Sequence, residues 1–270
     1  YDIEIIKLLP KKDVFVIEEG SNSCKELRKY IIKTKTVKIA LIDSYNISKL
    51  YKEKLSKYCF LASIEDRNKI IDIDLPIIPQ PFDFSRFKNH RGLFGLKYAP
   101  LDIEQRYKTK KNTFLEKKIK ILVSMGYYDS KKFTLKIVDA IEEIIKRSRF
   151  NLYVRVAIGK KSPCYAELDK RIKSLKNFKL LKNTNKLIYY AERSDIAIGA
   201  PGISHLERLY IGLPTILIPQ NSIQEQIADC WNIKNCCIKS SILKEDIKSS
   251  ISKLIENRKL RKNIIKSGKL

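Results

Sequence analysis

The chain has 270 residues, 44 % of them hydrophobic, which is enough for two domains with separate cores. No stretch approaches the roughly eighteen apolar residues of a membrane span, and no signal-peptide pattern is present, so the expectation is a cytoplasmic protein without stable membrane association. The net charge of +25 comes from lysines scattered along the whole chain rather than from a basic patch with interleaved aromatics. It therefore points away from nucleic acid and toward a field that draws in small polyanions.

Six cysteines (Cys24, Cys59, Cys164, Cys230, Cys236 and Cys237) form no C-x-x-C pair and no metal-ligand spacing. They read as small buried hydrophobes in a reducing compartment, and neither a metal nor a cofactor is expected. The sequence opens at Tyr1 without a methionine, so the expectation is one part of a longer product.

Taken in order, Asp13–Glu18 is strand-like and Gly20–Ser23 turns into a helix reaching about Ile32. Val37–Ile42 is a buried-type strand ending in Asp43-Ser-Tyr45. A helix to about Lys57 follows, then a strand at Tyr58–Ala62 with Glu65 and Asp66 just beyond it. Asp72–Ile78 is a further strand, on which Asp72 and Asp74 mark the polar face. Strands alternating with helices predict a parallel sheet, whose ligands sit beyond the carboxyl ends of its strands. Pro79 to about Lys118 has weak periodicity and reads as a crossover linker, with a domain boundary at 114/115.

A second alternating set begins with strand Ile119–Val123 and the turn Ser124-Met-Gly126. Helix Lys131–Arg147 carries Phe133, Ile137, Ile141, Ile144 and Ile145 on one face. Strand Leu152–Ile158, helix Cys164–Leu175 and strand Phe178–Leu181 follow, then a helix Asn185–Ala191 capped by Thr184. Two helices, about Leu243–Glu256 and Arg258–Ile265, close the chain.

Between them lies the stretch from Ser194 to Gln224. Ile196–Ile198 is a short strand, Gly199-Ala-Pro-Gly202 breaks it, and Ile203 to Ile211 is apolar at helical spacing. Gly212 is placed to end that helix, and Pro214 opens strand Thr215–Ile218. A glycine turn feeding a helix start leaves amide groups unpaired, with the positive end of the dipole behind them, which suits phosphate. Glu207, one turn in, is placed to accept hydrogen bonds from a sugar diol. The alternative is an ordinary βαβ crossover whose glycines only tighten the turn.

Several of these segments carry a family pattern. Ile121-Leu-Val-Ser-Met-Gly-Tyr-Tyr-Asp129, Gly95-Leu-Lys-Tyr-Ala99, Ala200-Pro-Gly-Ile-Ser-His-Leu-Glu-Arg208 with Gly212-Leu-Pro214, and Gln224 with Ala228 together resemble the UDP-sugar hydrolase of the pseudaminic acid pathway. That family cleaves UDP-2,4-diacetamido-2,4,6-trideoxy-β-L-altropyranose; its relatives include spore-coat polysaccharide proteins and the lipid II glycosyltransferase. The resemblance implies an α/β protein of GT-B class, with two Rossmann-like domains facing across a cleft. Residues 1–114 would be a sugar-side domain plus linker that lacks its first strand and helix, and residues 115–270 the UDP-binding domain. By the same resemblance, Glu207 holds the ribose hydroxyls and the amides of Gly202, Ile203 and Ser204 take the pyrophosphate. Gly126 permits close approach, Gln224 faces the sugar or diphosphate, and Tyr45 meets the sugar, with a core tyrosine as the alternative for Tyr45. The implied partner is a UDP-sugar bound by a monomer.

The sequence departs from that pattern in three places. Tyr127 replaces the second glycine of the first turn, Ile223 replaces an asparagine, and the family's G-x-G-H turn has no counterpart. A histidine base suits neutral pH. Of the two present, His90 falls in the linker and His205 beside the phosphate turn, where packing or solvent contact is the expected role. The chain thus reads as a leaving-group site without an assigned base. Three readings stay open: a hydrolase, a GT-B glycosyltransferase using a UDP-sugar donor, and an inactive nucleotide-sugar binding module.

Overall fold

β-branched runs alternating with amphipathic stretches fold as parallel strands joined by helices. The computed structural model describes residues 29, 39–43, 48–67, 73–101, 118–147 and 150–268. Two units are present: Tyr1–Pro79 with Phe84–Phe94, and Gln80–Asp83 with Gly95–Leu270. The strand expected at Asp13–Glu18, the helix after it, and Tyr45 lie outside the described residues.

In the first unit, β1 (Ile39–Ile42), β2 (Phe60–Ile64), β3 (Leu75–Ile78) and β4 (Leu93–Phe94) form a parallel sheet in that order. Helix α1 (Lys49–Ser56) is capped by the Ser48 side chain and packs Leu55 against Leu61 and Ile42. Four sequence expectations shift here. β2 starts two residues late because the Tyr58 amide still donates to Leu55 O at 3.0 Å, extending the helix end. β3 begins at Leu75, and the Asp74 carboxylate accepts from the Leu61 amide instead of standing on a polar strand face. The expected linker contains β4, held by a cluster in which Phe84 stacks on Phe94 at 5.2 Å. Glu65, expected at a ligand rim, is buried and paired with Lys52, while Ser63 Oγ donates to it at 2.7 Å.

The second unit holds a six-stranded parallel sheet: β5 (Lys118–Ser124), β6 (Asn151–Ile158), β7 (Phe178–Lys182), β8 (Ile196–Gly199), β9 (Thr215–Leu217) and β10 (Ile238–Lys239). Its order is β10-β9-β8-β5-β6-β7. Counted from β5, this is the 3-2-1-4-5-6 order of a Rossmann sheet. The chain runs outward from β5 to β7, then returns to β8 on the other side of β5. The sheet therefore has its topological switch point between β5 and β8, where ligands bind in such folds.

Ile121, Val123, Val154, Val156, Ile196, Ile198 and Ile216 are sealed on one face of this sheet. They lie beneath α2 (Phe133–Arg147), α3 (Tyr165–Lys173), α7 (Lys244–Glu256) and α8 (Arg258–Ser267). The predicted stripe of α2 is the one buried, with Ile137 and Ile141 inaccessible and Phe133 and Ile145 at its margin. Each such isoleucine contributes about 1.5–3 kcal/mol of transfer free energy. On the opposite face Leu122, Ala157 and Ala197 meet α4 (Leu187–Glu192) and the segment following α5 (Ile203–Tyr210).

Three details of this unit correct the sequence reading. α4 starts at Leu187, because the Thr184 hydroxyl accepts from the Lys186 amide in a turn rather than capping a helix at Asn185. Helix α6 (Ser222–Ile233), capped by Asn221, was not anticipated, nor was β10. Its buried positions (Ile227, Ala228, Trp231) form a short stripe interrupted by Gln, Glu and Asn.

Candidate functional site

Both strands at the switch point end in glycine turns. After β5, Gly126 has φ +100°, a conformation that disfavours side chains, and a Cβ there would meet nothing within 4 Å. The next residue, Tyr127, is accommodated sideways. Its carbonyl accepts from the Gly159 amide at 2.9 Å, and a Cβ on Gly159 would lie 2.7 Å from its ring. Glycine at 159 therefore makes room for the aromatic ring and leaves the space over Gly126 open.

The β5 turn closes on Asp129, which is buried and has both carboxylate oxygens engaged. They accept from the amides of Phe133 at 3.0 Å and Thr134 at 2.7 Å. The amino end of α2 is thus satisfied from within the chain.

The β8 turn is built differently. Gly199 is where two backbones nearly touch: a Cβ would stand 2.6 Å from Ser124 O and 2.8 Å from Arg208 Nη1. Gly202, the N-cap of α5, has extended backbone (φ −169°) and nothing within 4 Å of its would-be Cβ. Neither strain nor packing demands glycine there; as an N-cap without a side chain it leaves the space over the helix start open. No side chain caps α5, and the amides of Ile203 and Ser204 belong to its first turn.

A cavity of about 200 Å³ opens at these strand ends, lined among others by Gly126, Tyr127, Gly159, Thr184, Leu187 and Ser204. It is smaller than the roughly 300–1,000 Å³ of a whole ligand pocket, so it suits one part of a ligand. Gly126 and Ser204 therefore face the same space. Glu207, half-buried, borders a separate void of about 10 Å³ together with Ser204, Leu187 and Arg208. Gly202 and Ile203 stand at the helix start.

Gln224 is engaged within the chain: its Oε1 accepts from the Gln220 amide at 2.9 Å, and Gln220 Nε2 donates to Met125 O at 2.5 Å. Gln220, which the sequence reading passed over, ties the β9 turn to the β5 turn. Its only signal was a polar residue after Pro219 at a strand end.

His205 is fully buried, edge-on to Trp231 with ring centres 5.3 Å apart, and neither ring nitrogen has a hydrogen-bond partner. Burial, and secondarily the Arg208 charge, hold its pKa well below the ordinary value, so it stays neutral. It packs against Trp231. Arg208 is also buried, donating from Nη2 to Ala200 O at 2.9 Å. Burial brings its pKa down to about 10, against the Glu207 charge that favours the cation. His90 is exposed, edge-on to Phe87. Among the described residues no group of three or more His, Cys, Asp or Glu side chains is placed to hold a metal ion. No helix among them is long and apolar enough to cross a membrane.

Comparison with known proteins fits this geometry. An uncharacterized protein of Methanocaldococcus jannaschii is 25 % identical over 248 residues, covering 84 % of this chain and 49 % of that protein. The spore coat polysaccharide biosynthesis protein SpsG of Bacillus subtilis is 29 % identical over 100 residues, 37 % of this chain and 29 % of that protein. The chain thus spans about half the length, or less, of the curated relatives it matches.

Among solved structures, the spinosyn rhamnosyltransferase SpnG complexed with thymidine diphosphate superposes with a TM-score of 0.65 at 12 % identity. That match covers 92 % of this chain and 72 % of SpnG. The Methanocaldococcus jannaschii UDP-GlcNAc 2-epimerase, in complex with UDP-GlcNAc and UDP, gives 0.61 at 15 % identity over 93 % and 80 %. At such identities the likeness is one of fold: two parallel-sheet α/β units of GT-B type. The family model for glycosyl transferases group 1 matches residues 105–270, more than half of the sequence, and the chain belongs to that family.

Proposed function

We propose that this chain binds a UDP-sugar through its second unit and releases UDP from it by attack of water at the anomeric carbon. The substrate class is a UDP-diacetamido-trideoxyhexose of nonulosonic acid synthesis. The observation that carries the reading is the β8 turn. A helix start without a capping side chain, open space over Gly202 and an acid one turn further on lie together at the switch point of a Rossmann sheet. The motif resemblance and the spore-coat relative support the hydrolase and its sugar class. The nucleoside diphosphates held by two proteins of like fold support the ligand.

In this reading water oxygen bonds to the anomeric carbon while the carbon–oxygen bond to UDP breaks, its electron pair leaving on the diphosphate and the water's proton passing to bulk solvent. The amides of Ile203 and Ser204 and the α5 dipole meet that developing charge. Glu207 accepts from the ribose hydroxyls, and Gly126 leaves room for the ligand. His205, sealed against Trp231, does not take the proton from water. Family membership is also compatible with a second reading, in which an acceptor hydroxyl replaces water and the same leaving-group site serves a transferase.

Calorimetry with UDP, followed by product analysis on a UDP-sugar, tests these readings. Free sugar plus UDP supports hydrolysis, a glycosylated acceptor supports transfer, and failure to bind UDP overturns both. Glu207→Ala is expected to weaken UDP binding by about 1–3 kcal/mol. Unchanged affinity in a folded variant removes Glu207 from the site.

A further inference from the structure

Among the described residues of the second unit, two buried arginines are used in opposite ways. Arg261, 3 % exposed, donates from Nη1 to Leu254 O at 2.5 Å and to Ile255 O at 2.8 Å. Those carbonyls lie at the carboxyl end of α7, where the helix dipole is negative and a cation is welcome. Arg208, 2 % exposed, reaches back along α5 to its amino end instead. Its Nη2 donates to Ala200 O, and its Nη1 lies 2.8 Å from where a Gly199 Cβ would be, so the guanidinium sits under the turn.

There it adds a positive charge to the positive end of a dipole, the unfavourable arrangement. Among the described residues nothing neutralises it through a direct bond. Arg208 makes no ion pair with a described carboxylate, its Nε has no partner, and its one hydrogen bond goes to a neutral carbonyl. The adjacent Glu207 acts on it only through space. A buried cation left this way costs stability unless something compensates it. The outer side of the same turn, above Gly202, is open. An anion docked there would meet the helix start and lie over the guanidinium, relieving both.

We propose that Arg208 is a positioning residue that charges the β8 glycine turn from beneath, making it selective for a diphosphate anion over a neutral nucleoside. This rests on the nucleotide-sugar reading above and adds to it a source of charge that the turn's backbone does not provide. The carbonyl of Ala200, held by the guanidinium, also fixes the path by which the turn enters α5. The recognised chemistry is the diphosphate itself, whether carried by a nucleoside or free.

The test compares the unmodified chain with Arg208→Met, Arg208→Gln and Arg208→Lys, titrated calorimetrically with UDP, uridine and inorganic pyrophosphate. Melting temperatures are measured without ligand. The expected result for Arg208→Met is a loss of about tenfold or more in UDP affinity, with uridine changed less than about twofold. Arg208→Lys recovers most of the loss, and the salt dependence of UDP binding becomes shallower in Arg208→Met.

Without ligand, Arg208→Met melts no lower than the unmodified chain, since it sheds an uncompensated buried charge. Should Arg208→Met fail to fold, Arg208→Gln, which keeps a donor without the charge, gives the same comparison. Equal losses for UDP and uridine, or an Arg208→Lys variant no better than Arg208→Met, would overturn the proposal. If the unmodified chain binds neither UDP nor pyrophosphate, the nucleotide-sugar reading itself fails. If it binds UDP and Arg208→Met binds equally well, only the role of Arg208 fails. Tight pyrophosphate binding with the same Arg208 dependence assigns the effect to the diphosphate rather than to the nucleoside.

Discussion

The β5 and β8 turns have the same plan, strand to glycine to helix, and lie side by side at the switch point. Their electrostatics differ in sign. The β5 turn contains its own anion, Asp129, whose carboxylate consumes the first amides of α2. The β8 turn contains no capping side chain and has a cation beneath it. In the proposed reading only the second receives an anion from outside. A glycine turn before a helix is thus a geometry that serves as a site only when the chain has left the helix end unsatisfied. In that reading Gly126 would contribute by being open, not by offering charge.

The contrast is sharpest between the two glycines within the β8 turn. Gly199→Ala drives a methyl into Ser124 O at 2.6 Å, and backbone on a packed strand cannot yield cheaply. A loss of about 3 kcal/mol is expected, read as a lowered melting temperature. Gly202→Ala adds a methyl into open space on extended backbone, so its stability is expected within about 0.5 kcal/mol of the parent. UDP affinity should fall in Gly202→Ala all the same. If Gly202→Ala binds UDP normally, that glycine is not there for a ligand and the turn loses its assignment.

Asp129→Ala tests the other half of the comparison. It removes both caps of α2 from a buried position, and a loss of about 2 kcal/mol in chemical denaturation is expected. UDP affinity is expected to stay within about threefold, because the β5 turn donates no charge to the ligand. A specific loss of UDP binding with native stability would put Asp129 in the site and erase the distinction between the turns.

Much of the second unit was legible in the sequence because its strands are unbroken β-branched runs and its long helix repeats isoleucine at helical spacing. Ile121, Val123, Ile196 and Ile198 announce the central strands, and Gly212, with φ +72°, ends α5 as its position suggested. The turn at Gly199–Gly202 and the helix after it were legible for the same reason. What stayed hidden depends on partners distant in sequence. Glu65 looks like a rim carboxylate until Lys52 is brought to it across 13 positions. Gln220 matters only because the fold sets it against Met125, 95 residues earlier. How Tyr127 fits in place of the family's second glycine was not legible, because Gly159, its counterpart, stands at the end of another strand. Helix α6 was missed because its buried face is short and its cap, Asn221, is a common turn residue.

The smallest expected effect concerns His205, and it tests whether the β8 turn works by backbone and buried charge or by an imidazole. Its nitrogens are buried without partners, so Arg208 and the helix start, not this ring, face the anion in the proposed arrangement. His205→Phe keeps the edge-on contact with Trp231 and removes two unsatisfied polar atoms, so stability at pH 7 is expected to rise by about 1 kcal/mol. The pH dependence supplies the sign. The pKa of His205 is depressed in the folded chain, so below its ordinary value of 6.5 the unfolded chain binds a proton that the folded chain refuses. The parent should therefore lose stability as pH falls from 6.5 toward the depressed folded value, and His205→Phe should lose less over the same interval. UDP affinity in the variant is expected within about twofold of the parent. A loss of tenfold or more in a variant that melts normally would mean that the imidazole reaches the ligand, and that the β8 turn relies on a side chain after all.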